Sequence, residues 1–500
     1  MGRREKQRPA GAAASLGDRT AAGFAWLIVQ TLGSRGVSLV SQLALAAMVS
    51  ERAFGLMALA RTALSLMELM QNIGLRDILI QRSHKVGLWV PHAQHVGLIV
   101  GGAASLLTLA AAPVAAYVYD EPGVVGVVLV LALSPLLRAQ INIAQAVLRA
   151  EMRFRAVAAL ELSSTLVLAA SGLTLAALSA EEYALAVPVS LAALVQLIVG
   201  NRLAGIRFST RFRPRRWRML VTSGGILFAS RVCVVILLQA DYAVLGLLYT
   251  AAEVGVYYFA FTLSTQGIRM VAMNVIGVLL PALSTMTDDP GRVLAAFLRS
   301  VRAIAVLAVP FGLLQAGLVE PVVALLFPGK WEGLAELVQV LSIGMVASII
   351  GITTSSVLLS QRRYWTVLMV EAGQCVLFLG LVIPAAVLGD MLWVAGAVAV
   401  FHAISAPVRV FVSVRPIGGG VADAAGIFVG PLAGGLLGSA AGLAAGTALV
   451  GEWPLGGWVG ALVSLVVALG VYAAVVCVVC RPAVAEILSR FRSMLRRVRG

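Results

Sequence analysis

Long hydrophobic runs follow one another along almost the whole chain, broken only by short polar stretches. Most exceed the roughly 20 residues that a helix needs to cross the hydrocarbon core of a bilayer. Fourteen runs centre on residues 23–49, 54–80, 88–118, 123–148, 156–179, 182–202, 220–249, 254–283, 293–319, 335–360, 364–388, 391–413, 423–450 and 456–480. None shows the two-residue alternation of a barrel strand. The pattern predicts an all-α membrane protein of about fourteen transmembrane helices. Composition agrees: 60% of residues are hydrophobic, 12% are charged and the mean hydropathy is +0.96. A soluble chain of this length has no way to bury that much apolar surface.

The polar breaks carry an orientation. Thirty of the 38 Lys and Arg residues lie in alternate breaks and in the two tails, the richest being Arg202–Arg218 between spans 6 and 7. The opposite breaks hold Arg52 and Lys330 and the acids Asp120, Glu121, Glu181, Glu182, Glu332 and Glu452. This bias predicts that both termini are cytoplasmic and that the number of spans is even. The net charge of +15 then reads as contact with an anionic leaflet. Nucleic acid is not an expected partner, because the arginines are dispersed over every inside break. The basic N-terminus lacks a short apolar core and a cleavage site, so the first span is expected to stay as a helix.

Sequence similarity recurs within the chain. Gly55 in SERAFGLMALA matches Gly255 in TAAEVGVYYFA, APVAAYVYDEPG matches EPVVALLFPGKW, and AVLRAEMRF (146–154) matches SVLLSQRRY (356–364), at offsets of 200, 208 and 210. Six spans separate the copies, so both halves share one orientation and form parallel repeats. The expected organisation is a basic tail (1–22), a six-helix lobe (23–203), a basic connector (204–219), a second six-helix lobe (220–415), two further helices (423–480) and a basic tail (481–500).

Charges inside the spans are the candidate chemistry. Arg76 is near an inner end and can snorkel. Arg35, Arg61, Arg138, Arg231 and Arg269 lie deeper, in the company of Glu68, Glu161, Asp241 and Glu371. Each buried charge costs roughly 2.5–3.5 kcal/mol on insertion scales, so five arginines facing lipid would cost on the order of 15 kcal/mol. Arg231 and Asp241 share span 7 but stand about 15 Å apart, and so serve different partners. Thr31, Arg35, Ser38 and Gln42 fall on one face of span 1; Arg61, Ser65, Glu68 and Asn72 share a face of span 2; Thr262, Gln266 and Arg269 begin the same pattern in span 8.

Such stripes either line a water-filled space or hold helices together through ion pairs. The first alternative gives a substrate-binding set of Arg35, Gln42, Arg61, Glu68, Arg138, Arg231, Gln266 and Arg269, suited to a phosphate oxyanion. Asp241 is either a coupling residue, as Glu68 could also be, or a structural one. Glu161 and Glu371 lie close to inner ends and read as solvated.

Other chemistry is poorly represented. His92 and His95 have no acidic or thiol partner at metal-ligand spacing, and the cysteines (Cys233, Cys375, Cys477, Cys480) read as buried free thiols. There is no Walker A, GxSxG or HExxH pattern, so neither a cofactor nor an enzyme activity is expected. A glycine every fourth residue from Gly426 to Gly446 makes a smooth ridge on span 13, for packing against span 14 or the core, or for dimerisation.

The run DYAVLGLLYTAAEVGVYYFAFTLSTQGIRMVAMNVIGVLLPALSTM (Asp241–Met286) resembles the polysaccharide transporter family of flippases, within the multidrug/oligosaccharidyl-lipid/polysaccharide exporter superfamily. FGLMALARTALSLMELMQNIGLRDILIQR, PVAAYVYDEPG and AVLRAEMRF resemble it too. The likeness extends over about residues 20–415, on the branch that exports lipopolysaccharide or exopolysaccharide repeats. It implies two parallel six-helix lobes around a central cationic cavity, plus two C-terminal helices, in a bacterial inner membrane. It also implies an undecaprenyl-pyrophosphate-linked oligosaccharide as cargo, moved to the periplasmic leaflet by alternating access. Partners would be this lipid-linked oligosaccharide, membrane lipids, and a polysaccharide polymerase or glycosyltransferases.

The related lipid II flippases also have fourteen helices and cavity arginines. Drug antiporters of the superfamily carry an acid in helix 1, which this chain lacks. A cation-coupled exporter would depend on Asp241 or Glu68 rather than on the arginines. A membrane glycosyltransferase or polymerase would need a carboxylate cluster in an outside loop, and the outside acids here are scattered.

Overall fold

The computed structural model describes residues 30–31, 33–71, 79, 86–206, 225–266, 286, 289–450 and 456–479. Within them the chain runs as α1 (33–48), α2 (Glu51–Gln71), α3 (Val86–Tyr119), α4 (Gly123–Leu131), α5 (Ser134–Ala150), α6 (Phe154–Ala177), α7 (Tyr183–Ala204), α8 (Gly225–Leu248) and α9 (251–266). It continues as α10 (Pro290–Leu326), α11 (Leu334–Ser360), α12 (Tyr364–Leu388), α13 (Met391–Val414), α14 (Val421–Val450) and α15 (Gly456–Val479), with a 3-10 turn at Arg415–Ile417. Ten spans among the described residues are long and apolar enough to cross a bilayer. The chain is thus an all-α, multi-pass membrane protein. α10, at 37 residues, outruns its predicted span of 293–319; at 1.5 Å per residue it is about 55 Å long, against a hydrocarbon core of roughly 30 Å.

One predicted span is not one helix. Residues 123–148 divide into α4 and α5, with a break at Ala132–Leu133. Pro135 stands in the first turn of α5. It has no N–H to give the preceding turn, and its ring clashes with the carbonyl four residues back, so the run restarts there.

Contacts divide the chain into two compact units, Met1–Gly225 and Ile226–Gly500. In the first, α2 packs on α3 and α4, α3 on α5, and α7 on both α5 and α6. The α1–α2 and α6–α7 turns meet where Ser50 Oγ donates to Glu181 Oε2 at 2.6 Å, and Arg52 at the start of α2 pairs through Nη2 with Glu121 Oε2 of the α3–α4 turn at 2.8 Å. His92 and His95 each set Nδ1 against a carbonyl one turn back, on Leu88 (3.1 Å) and Pro91 (2.7 Å). They are helix residues with backbone partners, and no cluster of metal-binding side chains occurs among the described residues.

In the second unit α11 packs on α10 and α13, α12 on α13, and α14 and α15 on α10 and on each other. The α10–α11 loop closes on Trp331, which is 2% exposed at a left-handed φ of 62°. That conformation is rare for a bulky residue. Here the ring lodges against Phe259, with centroids 4.6 Å apart, and beside Phe327. The glycine ridge faces inward: a side chain at Gly434 would meet Tyr472 and Val476, one at Gly438 the Ala468 carbonyl, and one at Gly442 the Ser464 carbonyl. The ridge therefore lets α14 and α15 approach backbone to backbone. Of the thiols, Cys375 is buried and donates to the Cys233 carbonyl at 3.3 Å; Cys477, against expectation, is exposed. Cys480 lies outside the described residues.

The internal repeat reappears as backbone geometry. Met152 and Arg362 take φ of 56° and 55°. Arg153 and Arg363 follow at φ/ψ of −85°/61° and −87°/60°. In both turns the third residue donates its N–H to a carbonyl five residues back, Leu148 or Leu358, at 2.9 Å. The offset is 210 residues, as in the sequence match.

Candidate functional site

Most residues singled out from sequence stand on the helices expected, in differing surroundings. Arg35 on α1, Arg61 on α2, Arg138 on α5 and Arg231 on α8 are exposed, and Gln42, Glu68 and Gln266 are half-buried. Arg269 lies outside the described residues. Asp241, ten residues from Arg231 on α8, is 1% exposed. Its Oδ2 accepts from Tyr257 Oη at 3.1 Å and its Oδ1 from the Tyr242 N–H at 3.0 Å. The Tyr242 ring is edge-on to Tyr257, Tyr258 and Phe261. Asp241 thus sits where α8 and α9 are pinned together, in surroundings unlike those of Arg231.

The most developed polar site is one the sequence reading misplaced. Arg409, one of the thirty Lys and Arg residues counted on the inside although it falls within the predicted span 391–413, is an interior residue of α13; Glu371, read as solvated, is 3% exposed. Glu371 is the eighth residue of α12, about 10 Å from its start, yet α11 and α13 close over it. Arg409 donates four times: Nη2 to Glu371 Oε1 and to Ser355 Oγ, each at 3.0 Å, Nη1 to Gln374 Oε1 at 2.9 Å, and Nε to Thr354 Oγ1 at 3.3 Å. Helical spacing puts these groups together. Glu371, Gln374 and Phe378 are i, i+3, i+7 on α12; Phe401, Ser405 and Arg409 are i, i+4, i+8 on α13. Gly351 leaves room for the arginine stem, whose Cδ would lie 3.4 Å from a side chain there.

Beside this ion pair is a cavity of about 310 Å³, lined by α8, α9, α11, α12 and α13 of the second unit. Val234, Leu237 and Phe261 form one wall; Phe378 and Phe401 another; Thr265, Ser405, His402, Gln374 and Glu371 supply polar atoms. Glu371 Oε2 and Gln374 Nε2 are buried without a hydrogen-bond partner. The first unit has a related but different arrangement. Glu161, 210 residues before Glu371, accepts from Gln145 Nε2 at 2.8 Å and Gln196 Nε2 at 3.4 Å. Amides replace the guanidinium there. The repeat offset joining Glu161 to Glu371 was the signal available in the sequence for this pair.

Comparison with known proteins places the chain. A family model described as polysaccharide biosynthesis protein matches residues 44–336. The lipopolysaccharide biosynthesis protein WzxC of Escherichia coli (strain K12) is 23% identical over 415 residues, which is 81% of this chain and 82% of that protein. The succinoglycan biosynthesis transport protein ExoT of Rhizobium meliloti (strain 1021) is 26% identical over 324 residues, 61% of this chain and 62% of its own. Among solved structures, the lipid II flippase MurJ in an inward closed conformation matches with a TM-score of 0.68 at 13% identity, over 91% of this chain and 99% of that one. An inward-facing multidrug resistance transporter of the MATE family matches at 0.60 and 14% identity, over 78% and 98%. At these identities the likeness to solved structures speaks for the fold alone. The family model spans more than half of the sequence: the chain belongs to the polysaccharide biosynthesis protein family, on the fold shared by MurJ and the MATE transporters.

Proposed function

We propose that this protein is a flippase that moves an undecaprenyl-pyrophosphate-linked oligosaccharide repeat unit from the cytoplasmic to the periplasmic leaflet, for lipopolysaccharide or exopolysaccharide synthesis. The observation that carries this reading is family membership together with similarity to WzxC over four-fifths of both chains. In this reading there are fourteen spans, with both termini cytoplasmic. The two repeats are six-helix lobes about a central cavity that opens to each side in turn.

Charge chemistry supports it. A pyrophosphate is anionic and lipid rejects it, while guanidinium forks bind phosphate oxygens well. Arg35, Arg61, Arg138 and Arg231 are exposed on apolar helices, a costly placement unless they face water or a partner. With Arg269 they form the proposed pyrophosphate set; Gln42 and Gln266 meet sugar hydroxyls, and Glu68 competes for a guanidinium in the empty state. Asp241, pinned to Tyr257, takes the structural role. The apolar cavity of about 530 Å³ among α10, α11, α13 and α14 suits the polyprenyl tail. Polymerase and glycosyltransferases act on either side of this step.

Deletion of the gene is expected to accumulate the lipid-linked repeat on the cytoplasmic side. Complementation with Arg35→Ala, Arg231→Ala or Arg269→Ala should leave it accumulated, and the Lys variants should restore part of the flux. Full rescue by all three Ala variants at normal expression would discard the arginine set. Accumulation of lipid II, with loss of viability, would favour the lipid II flippase reading that the MurJ fold also allows.

A further inference from the structure

We infer that the cavity of the second unit is a subsite for a single sugar ring of the cargo, separate from the arginines proposed for its pyrophosphate. The inference rests on the flippase reading above and adds where, and by what chemistry, the saccharide is recognised.

The argument begins with charge. Arg409 is paired with Glu371 at 3.0 Å and spends four N–H donors inside the cluster. A guanidinium has five, so little is left for an anion. The carboxylate beside it disfavours phosphate, and the guanidinium disfavours a cation. A formally neutral cluster calls for a neutral ligand.

Hydrogen bonding comes next. Glu371 is 3% and Gln374 6% exposed, yet Glu371 Oε2 and Gln374 Nε2 have no partner, and both residues line the cavity. Leaving such groups unsatisfied is expensive. They are an acceptor and a donor one helical turn apart, and once these side chains turn toward the cavity they match neighbouring hydroxyls of a pyranose, each being donor and acceptor at once. Ser405 adds a third hydroxyl-binding group.

The remaining wall is aromatic. Phe378 and Phe401 stand edge to face with centroids 4.9 Å apart and offer apolar surface to the C–H face of a sugar. At about 310 Å³ the cavity is at the small end of the roughly 300–1,000 Å³ of ligand sites, which suits one ring rather than a whole repeat.

The test uses the purified full-length protein in phospholipid nanodiscs and two probes: the lipid-linked repeat extracted from the deletion strain, and polyprenyl pyrophosphate bearing no sugar. Wild type is expected to bind the sugar-bearing lipid about tenfold more tightly, as for one or two hydrogen bonds to a neutral ligand. Gln374→Leu should erase that preference and leave affinity for the sugar-free lipid unchanged. Phe378→Leu, which removes no polar atom, should do the same and keeps the test open if Gln374→Leu does not fold. Equal wild-type affinity for the two probes, or a preference that survives in a folded variant, overturns the subsite and leaves the flippase reading standing. Binding of neither probe by wild type overturns both.

Discussion

Arg409 and Glu371 show what a residue's depth does to its chemistry. An ion pair enclosed by three helices is held less by its own attraction than by the cost of stranding either half: removing one partner of a buried pair costs about 3–5 kcal/mol. Arg409→Ala and Glu371→Ala should each lower the unfolding temperature of the detergent-solubilised protein markedly. The double variant should lose clearly less than the sum of the two. Additive losses would mean that the groups are not coupled, against the 3.0 Å contact. At this scale the sequence was only half legible. The deep arginines were visible because each interrupts an apolar run. Arg409 stands five residues from the end of α13, and hydropathy cannot tell a helix's last solvated turn from one that a neighbouring helix covers. Glu371 was misread for the same reason, and the repeat offset from Glu161 was the one internal clue.

Among the elements, α14 and α15 owe their closeness to absent side chains. At Gly438 an added Cβ would come within 2.6 Å of the Ala468 carbonyl, whereas nothing lies within 4 Å at Gly470. Gly438→Leu is expected to separate the pair and cost about 1–3 kcal/mol as an overpacked contact does. Gly470→Leu should be near neutral. The readout is thermal unfolding with yield from the membrane; equal loss in both would show that the ridge is not a packing surface. The glycine spacing was legible, and so were most helix ranges, because a bilayer imposes length and apolarity directly. The break between α4 and α5 was not: the run stays apolar across it, and only Pro135 marks the restart.

For the whole molecule, the inside excess of Lys and Arg predicts a topology. Single cysteines replacing Arg8 or Arg499, in a background without the native thiols, should react with a membrane-impermeant maleimide only after the cytoplasmic side is opened. A cysteine at Lys330 should react in intact spheroplasts. The reverse pattern would invert the proposed direction of transport. The 210-residue offset was legible in sequence, and Met152 and Arg362 share a left-handed turn position at that same offset. What stands opposite each arginine was not: spacing assigns a side chain to a face of its own helix and says nothing of its neighbours.

Pairing also has an electrical meaning. A lone charge carried across a bilayer feels about 2.3 kcal/mol for every 100 mV of resting potential. Glu371 and Arg409 together carry no net charge, so the polar heart of the second unit can change depth in an energised cell without drawing on the voltage or working against it.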